Sequence, residues 1–155
     1  MELKAQEDID APAERVFAGL CDFEAITTQA VRRGVTVTRT DRLSEPGVGM
    51  AWQAEFDMRG KTRTAEITVT EMTPPDRLAF LSTSGGLEVE TRIEVVALGQ
   101  ARSRVLWCSV LNPRSLPARL MVQSLKLTKG GLDKRFRRRM SNIARDFEDR
   151  LRRAG

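Results

Sequence analysis

The 155-residue chain contains no histidine and no tyrosine. The first absence removes the imidazole acid or base, so neither a Ser-His-Asp nor a Cys-His arrangement can exist. The second removes a common phenolic hydrogen-bond donor. Cysteine is scarce as well: Cys21 and Cys108 are distant and lack metal-type spacing, and both are expected to be reduced and packed. A metal site would have to rely on carboxylates, and no metal or other cofactor is expected. No Walker loop or dinucleotide glycine pattern occurs, and Gly47-Val-Gly49 reads as a strand-entry turn. No apolar run approaches the ~20 residues of a membrane span. The first, around Val16 to Cys21, is too short for a signal core and follows an acidic stretch, so a cytoplasmic location is expected.

What is present is an ordinary globular balance, 41% apolar and 30% charged. The length suits one core rather than two, and a single domain over 1–155 is expected. Charge is unevenly spread. Residues 1–111 carry 13 Lys and Arg against 17 Asp and Glu, whereas residues 112–155 carry 13 against 4. The net charge of +5 therefore belongs to the C-terminal segment and points to a local anionic partner.

Hydrophobic periodicity divides the chain. Leu3, Ala5 and Ile9 alternate with polar residues, as in a half-buried strand. The period then changes: Pro12 suits a first helical position, and Ala13, Val16, Phe17 and Leu20 share one helical face. Asp22 is placed to cap a second short helix through Phe23, Ile26 and Ala30, which Gly34 ends. From Val35 to Asn112, breakers at Glu45-Pro-Gly47, Arg59-Gly60, Thr73-Pro-Pro-Asp76, Ser84-Gly-Gly86 and Gly99-Gln100 separate six strands. Met50, Trp52, Ala54, Phe56 and Met58 share one parity, as do Ala65, Ile67 and Val69, and Leu87, Val89, Ile93 and Val95. This pattern predicts an antiparallel sheet with one wet and one apolar face. Beyond Leu116-Pro117 a helix is predicted, interrupted or bent at Gly130-Gly131. Leu132, Phe136, Met140, Ile143, Phe147 and Leu151 then form an apolar stripe.

The opening Ile9-Asp-Ala-Pro-Ala-Glu-Arg-Val-Phe-Ala-Gly-Leu-Cys-Asp22, the segment Glu71-Met-Thr-Pro-Pro-Asp-Arg-Leu78 and the final helix carry a resemblance over nearly the whole chain. In these features the protein resembles the START and polyketide cyclase superfamily, also called SRPBCC. The resemblance implies an α+β helix-grip fold: a curved seven-stranded antiparallel sheet, two short N-terminal helices and a long C-terminal helix. It also implies an apolar cavity between sheet and terminal helix, used across the superfamily for lipids, quinones and polyketides. The matching motifs are structural, so no catalytic residue is transferred.

The candidate cavity residues are Phe23, Trp52, Phe56, Met58, Phe80 and Trp107, with Met121 and Leu125 from the final helix. Each alone reads as core, whereas the set suits an apolar guest. Strand parity would aim Arg39 and Arg63 inward, where each needs a ligand anion or Glu71, unless it snorkels to water. Glu71 shares the parity of Ile67 and Val69 and could enter the cavity mouth or simply end the strand, while Glu55, Asp57 and Glu66 alternate away. Around Lys134-Arg-Phe-Arg-Arg-Arg139, the residues Lys134, Arg138, Arg145 and Arg152 form a basic stripe. A solvated face is the commonest fate of such a stripe. Transient docking on an anionic membrane or a protein partner comes next, and nucleic acid last, since no interleaved stacking aromatics occur. The leading functional reading is non-catalytic binding or transfer of an apolar small molecule. A cyclase- or aromatase-type enzyme and a protein-interaction module are the alternatives.

Overall fold

The computed structural model describes residues 1–58 and 60–154, so Arg59 of the expected Arg59-Gly60 turn lies outside the described residues. Strand β1 (Glu2–Ile9) leads into helices α1 (Ala13–Leu20) and α2 (Phe23–Arg32). The six following strands are β2 (Thr36–Arg39), β3 (Ala51–Met58), β4 (Lys61–Thr73), β5 (Arg77–Ser84), β6 (Leu87–Ala97) and β7 (Ser103–Pro113). Helices α3 (Leu116–Leu127) and α4 (Lys129–Ala154) close the chain. The seven strands form one antiparallel sheet in the order β1-β7-β6-β5-β4-β3-β2. This is the α+β helix-grip fold.

Local chemistry accounts for the element ends. Pro12 takes the cap position one residue before α1, rather than the first helical position. Asp22 caps α2, its Oδ1 accepting from the Ala25 amide at 3.2 Å. Gly34 follows with φ +92°, a conformation that costs a residue with a Cβ. The C-terminal break falls at Thr128, two residues before the expected Gly130-Gly131, and both glycines lie within the first turn of α4. The last turn of α3 folds back through its C-cap, with the Thr128 amide donating to the Leu125 carbonyl at 3.1 Å. Leu132 donates to Thr128 at 3.0 Å to start the new helix. Glycines with few neighbours are tolerated in a first turn, where the amides need no intrahelical acceptor.

The core joins the inner sheet face to α1, the start of α2 and the end of α4. Ile9, Val16, Phe17, Phe23, Trp52, Val69, Leu78, Ile93, Val95 and Leu151 are buried in one cluster. The C-terminal half of α4 is tied to α1: Arg15 donates to the Leu151 carbonyl at 2.5 Å, and Arg150 donates to the Gly19 carbonyl at 3.5 Å. A Cβ at Gly19 would come within 2.8 Å of the Phe147 ring, so the glycine permits this close approach. Cys21 packs beside this cluster, and burial pushes its thiol up to about 11. It is therefore a poor nucleophile at neutral pH.

The β2–β3 junction is held by one carboxylate. Asp41 accepts from the Arg39 Nε at 2.9 Å and from the amides of Ala51 and Leu43 at 2.8 Å each. The Arg39 guanidinium and then the Ala51 amide hold the Asp41 carboxyl far below the usual carboxylate range. A lowered pKa means a contribution that is complete above the unfolded value and lost as pH falls through the folded one. Denaturant midpoints measured from neutrality downward should accordingly stay level to about pH 4 and then decline. In Asp41→Asn the decline should be shallower, from a starting midpoint that is already lower.

Candidate ligand-binding cleft

Cross-strand register defines what the helices cover. Val37 lies opposite Ala54 and Arg39 opposite Trp52; on the other side of β3, Trp52 faces Ile67, Ala54 faces Ala65 and Phe56 faces Arg63. These residues share the inner face. Helix α2 crosses its edge, and beneath the helix lies a cleft of about 590 Å³ lined by Phe23, Thr28, Val31, Val37, Arg39, Met50 and Trp52, among others. Phe23 and Trp52, 5% and 7% exposed, pack edge to face at 5.2 Å. Phe80 meets Phe23 from behind at 6.1 Å. Phe23 and Trp52 thus make an apolar floor of fixed geometry, with Phe80 packed against Phe23 outside the lining.

The space under the C-terminal helix is smaller. Between α4 and the β1–β7 edge lies a slot of about 70 Å³, lined by Ala5, Ile9, Trp107, Met140, Ile143 and Phe147, among others. The larger volume therefore sits beneath α2 rather than between the sheet and α4.

The expected cavity residues separate accordingly. Phe23 and Trp52 line the larger cleft with Phe80 packed against Phe23, and Trp107 belongs to the slot. Phe56 is half-buried farther along β3, and Met58, 47% exposed, is at the open strand end. Met121 and Leu125 are half-buried on α3 and line neither space.

The polar candidates divide as well. Arg39 reaches the cleft wall, but its partner is Asp41 rather than Glu71. Arg63 has inner-face parity yet is exposed, near the Met58 carbonyl at 3.4 Å. Glu71 does not follow Ile67 and Val69 inward. A bulge between Val69 and Glu71 leaves Val69 opposite Phe80 and Glu71 opposite Ala79, so Glu71 falls on the outer face and Met72 takes the inward position opposite Leu78. Lys134, Arg138 and Arg145 are exposed on α4, whereas Arg152 is paired with Glu148 at 2.8 Å.

Other polar inner-face residues come from strands read as apolar. Thr91 and Ser109 are buried with their hydroxyls 3.0 Å apart, and the Trp107 Nε1 donates to Ser109 at 2.9 Å. Thr91 continues the inward parity of Leu87, Val89 and Ile93, a signal available in the sequence, and Ser109 lies opposite it on β7. Glu7 shares the inward parity of Ala5 and Ile9 and lines the slot. Thr27 and Thr28 bring a polar edge to the larger cleft. The signal for these two was weak, since each hydroxyl donates to the Glu24 carbonyl, as helix-surface threonines commonly do.

Residues 1–148 match the family described as polyketide cyclase / dehydrase and lipid transport, and the chain belongs to that family. A protein from Thermus thermophilus has a similar structure, with a TM-score of 0.69, 18% identity, and coverage of 100% of this chain and 99% of that one. The Zhui aromatase/cyclase from a Streptomyces species gives 0.67 at 14% identity, covering 100% and 98%. Norcoclaurine synthase from Thalictrum flavum, solved with dopamine and hydroxybenzaldehyde, gives 0.61 at 12%, covering 81% and 76%. At these identities the likeness is one of fold. No curated protein matches the sequence.

Proposed function

We propose that the protein binds an apolar small molecule, of lipid, quinone or polyketide-like class, in the cleft between α2 and strands β2–β3, and carries it unchanged. The observation that carries this reading is the ring pair of Phe23 and Trp52, backed by Phe80 and open on one side to a cleft of about 590 Å³. That volume suits a small-molecule site, with Arg39 as a polar marker at its wall. Burial of about ten methylenes contributes ~8 kcal/mol before the costs of association. The family's link to lipid transport and the small aromatic molecules held by the Thalictrum enzyme agree with such a guest. Exposed Lys134 and Arg145 support a transient meeting with an anionic membrane, from which an apolar ligand is drawn.

Native mass spectrometry of protein purified from cells, followed by extraction, tests the reading. An additional mass matching an apolar metabolite is expected. Val31→Trp, at an exposed residue of the cleft wall, should reduce retention at least tenfold without changing the melting temperature. A clean apo mass that persists after incubation with mixed lipids and quinones would reject the proposal.

One observation favours a second reading, a cyclase- or aromatase-type enzyme using the same cleft. Arg39 offers a fixed cation at the wall that could steady an enolate. Turnover of a polyketone chain that disappears in Arg39→Ala, with ligand retention intact, would select the enzyme over the carrier.

A further inference from the structure

Four guanidinium groups border a second cleft, of about 300 Å³, between the C-terminal end of α2 and the middle of α4. Arg33 comes from the cap of α2 and Arg135, Arg138 and Arg139 from α4; Asn142, Ile143 and Asp146 complete the wall. The placement is electrostatically unfavourable by itself. Arg135 precedes Arg138 and Arg139 by three and four residues, so like charges occupy neighbouring positions on one helical face. Asp146 is the single carboxylate in the wall.

Several arginines elsewhere pair with acid, among them Arg39 with Asp41, Arg104 with Asp8, Arg114 with Glu88 and Arg152 with Glu148, while others, such as Arg63 and Arg119, form no salt bridge among the described residues. Among the described residues, none of the four cleft arginines forms such a salt bridge. A solvated helix face would not require Arg33, from a separate element, to converge on the same space. A bound anion would offset the mutual repulsion, and planar guanidinium forks match the oxygens of a phosphate group. Ile143 lines both this cleft and the apolar slot beneath α4, so an apolar wall adjoins the cationic one.

We propose that this cleft binds a phosphate-class anion, either free or as the head of an amphiphile whose apolar end lies along Ile143. The site uses residues other than those of the α2–β3 cleft and goes beyond the apolar-ligand reading. Isothermal titration calorimetry at low ionic strength, with inorganic phosphate, pyrophosphate, hexyl phosphate and hexanol as probes, tests it on the full chain. The comparison protein is Arg135→Ala/Arg139→Ala, in which alanine preserves helix propensity and circular dichroism checks folding.

Wild type should bind pyrophosphate, at least tenfold more tightly than the double variant, with affinity falling steeply as salt is added. Hexyl phosphate binding more tightly than inorganic phosphate, while hexanol does not bind, would identify an amphiphile head as the source. Equal affinities would identify the free anion. No anion binding by wild type, or equal binding by both proteins, would overturn the site and return these arginines to solvent. Nile red occupancy of the α2–β3 cleft should be the same in both proteins. Failure of the dye to bind while pyrophosphate still does would count against the proposed function alone.

Discussion

Replacing Trp52 by alanine should destabilise the fold by about 3–5 kcal/mol, the range for a large aromatic removed from a core. The side chain is 7% exposed, packs edge to face on Phe23 and lies opposite Ile67 across the strand pair. Its removal takes away apolar surface and also leaves Phe23 without the ring that fixes it. Domains are typically stable by about 5–15 kcal/mol, so the loss should appear as a large drop in the urea midpoint. Ligand retention will fall with it, which makes this variant a poor probe of binding; the exposed Val31 position separates the two effects. Met58→Ala, at a residue with the same parity but 47% exposed, should shift stability by no more than about 0.5 kcal/mol. Comparable losses at Trp52 and Met58 would refute the core assignment.

Gly86→Ala should cost about 2–3 kcal/mol through two separable causes. Gly86 has φ +82°, where a side chain is strained by about 1–2 kcal/mol. A Cβ there would also meet the Ser115 side chain, approaching its Cβ to 2.8 Å. Ser115 caps α3, its Oγ accepting from the Ala118 amide at 3.2 Å, and loss of such a cap costs about 1 kcal/mol. Gly85 supplies the control. It too has positive φ, +53°, but a Cβ there meets nothing within 4 Å, so Gly85→Ala should show the backbone strain alone. Amide exchange should separate the two variants further, with Ala118 exchanging faster only in Gly86→Ala. Equal exchange at Ala118 would remove the proposed coupling between the β5–β6 turn and α3.

Most of the architecture was legible because it depends on local chemistry. Alternation in Leu3–Ile9 and Met50–Met58, the Asp22 cap and the glycine-marked turns each depend on neighbours close in sequence. Their assembly into a seven-stranded helix-grip sheet was implied by the resemblance carried by Ile9–Asp22, Glu71–Leu78 and the final helix. The aromatic floor was partly legible too, since Phe23 lay on the expected face of α2 and Trp52 had inward strand parity.

What escaped depends on tertiary placement. Nothing local states that α4 closes on β1, leaving the smaller of the two spaces where the resemblance implies the cavity and the larger beneath α2. The Thr128 break preceded the glycines because helix ends depend on packing as well as propensity. Arg33 gave no hint of joining Arg135 and Arg139, about a hundred positions away. Glu71 was misdirected by counting in twos across a strand that is not regular.

That irregularity also determines where the length of β4 can vary. Because Thr70 is the residue with no counterpart on β5, a chain lacking it keeps Val69 opposite Phe80, Glu71 opposite Ala79 and Met72 opposite Leu78. The apolar lining is unchanged. Loss of Thr68 instead turns the fully buried Val69 toward solvent before the surplus residue can restore the phase. Thr70 is therefore a slack point in the strand: descendants of this chain can gain or lose one residue there without exchanging the lining for the outer coat. An alignment with a distant relative that places its gap elsewhere in β4 will match inward residues to outward ones.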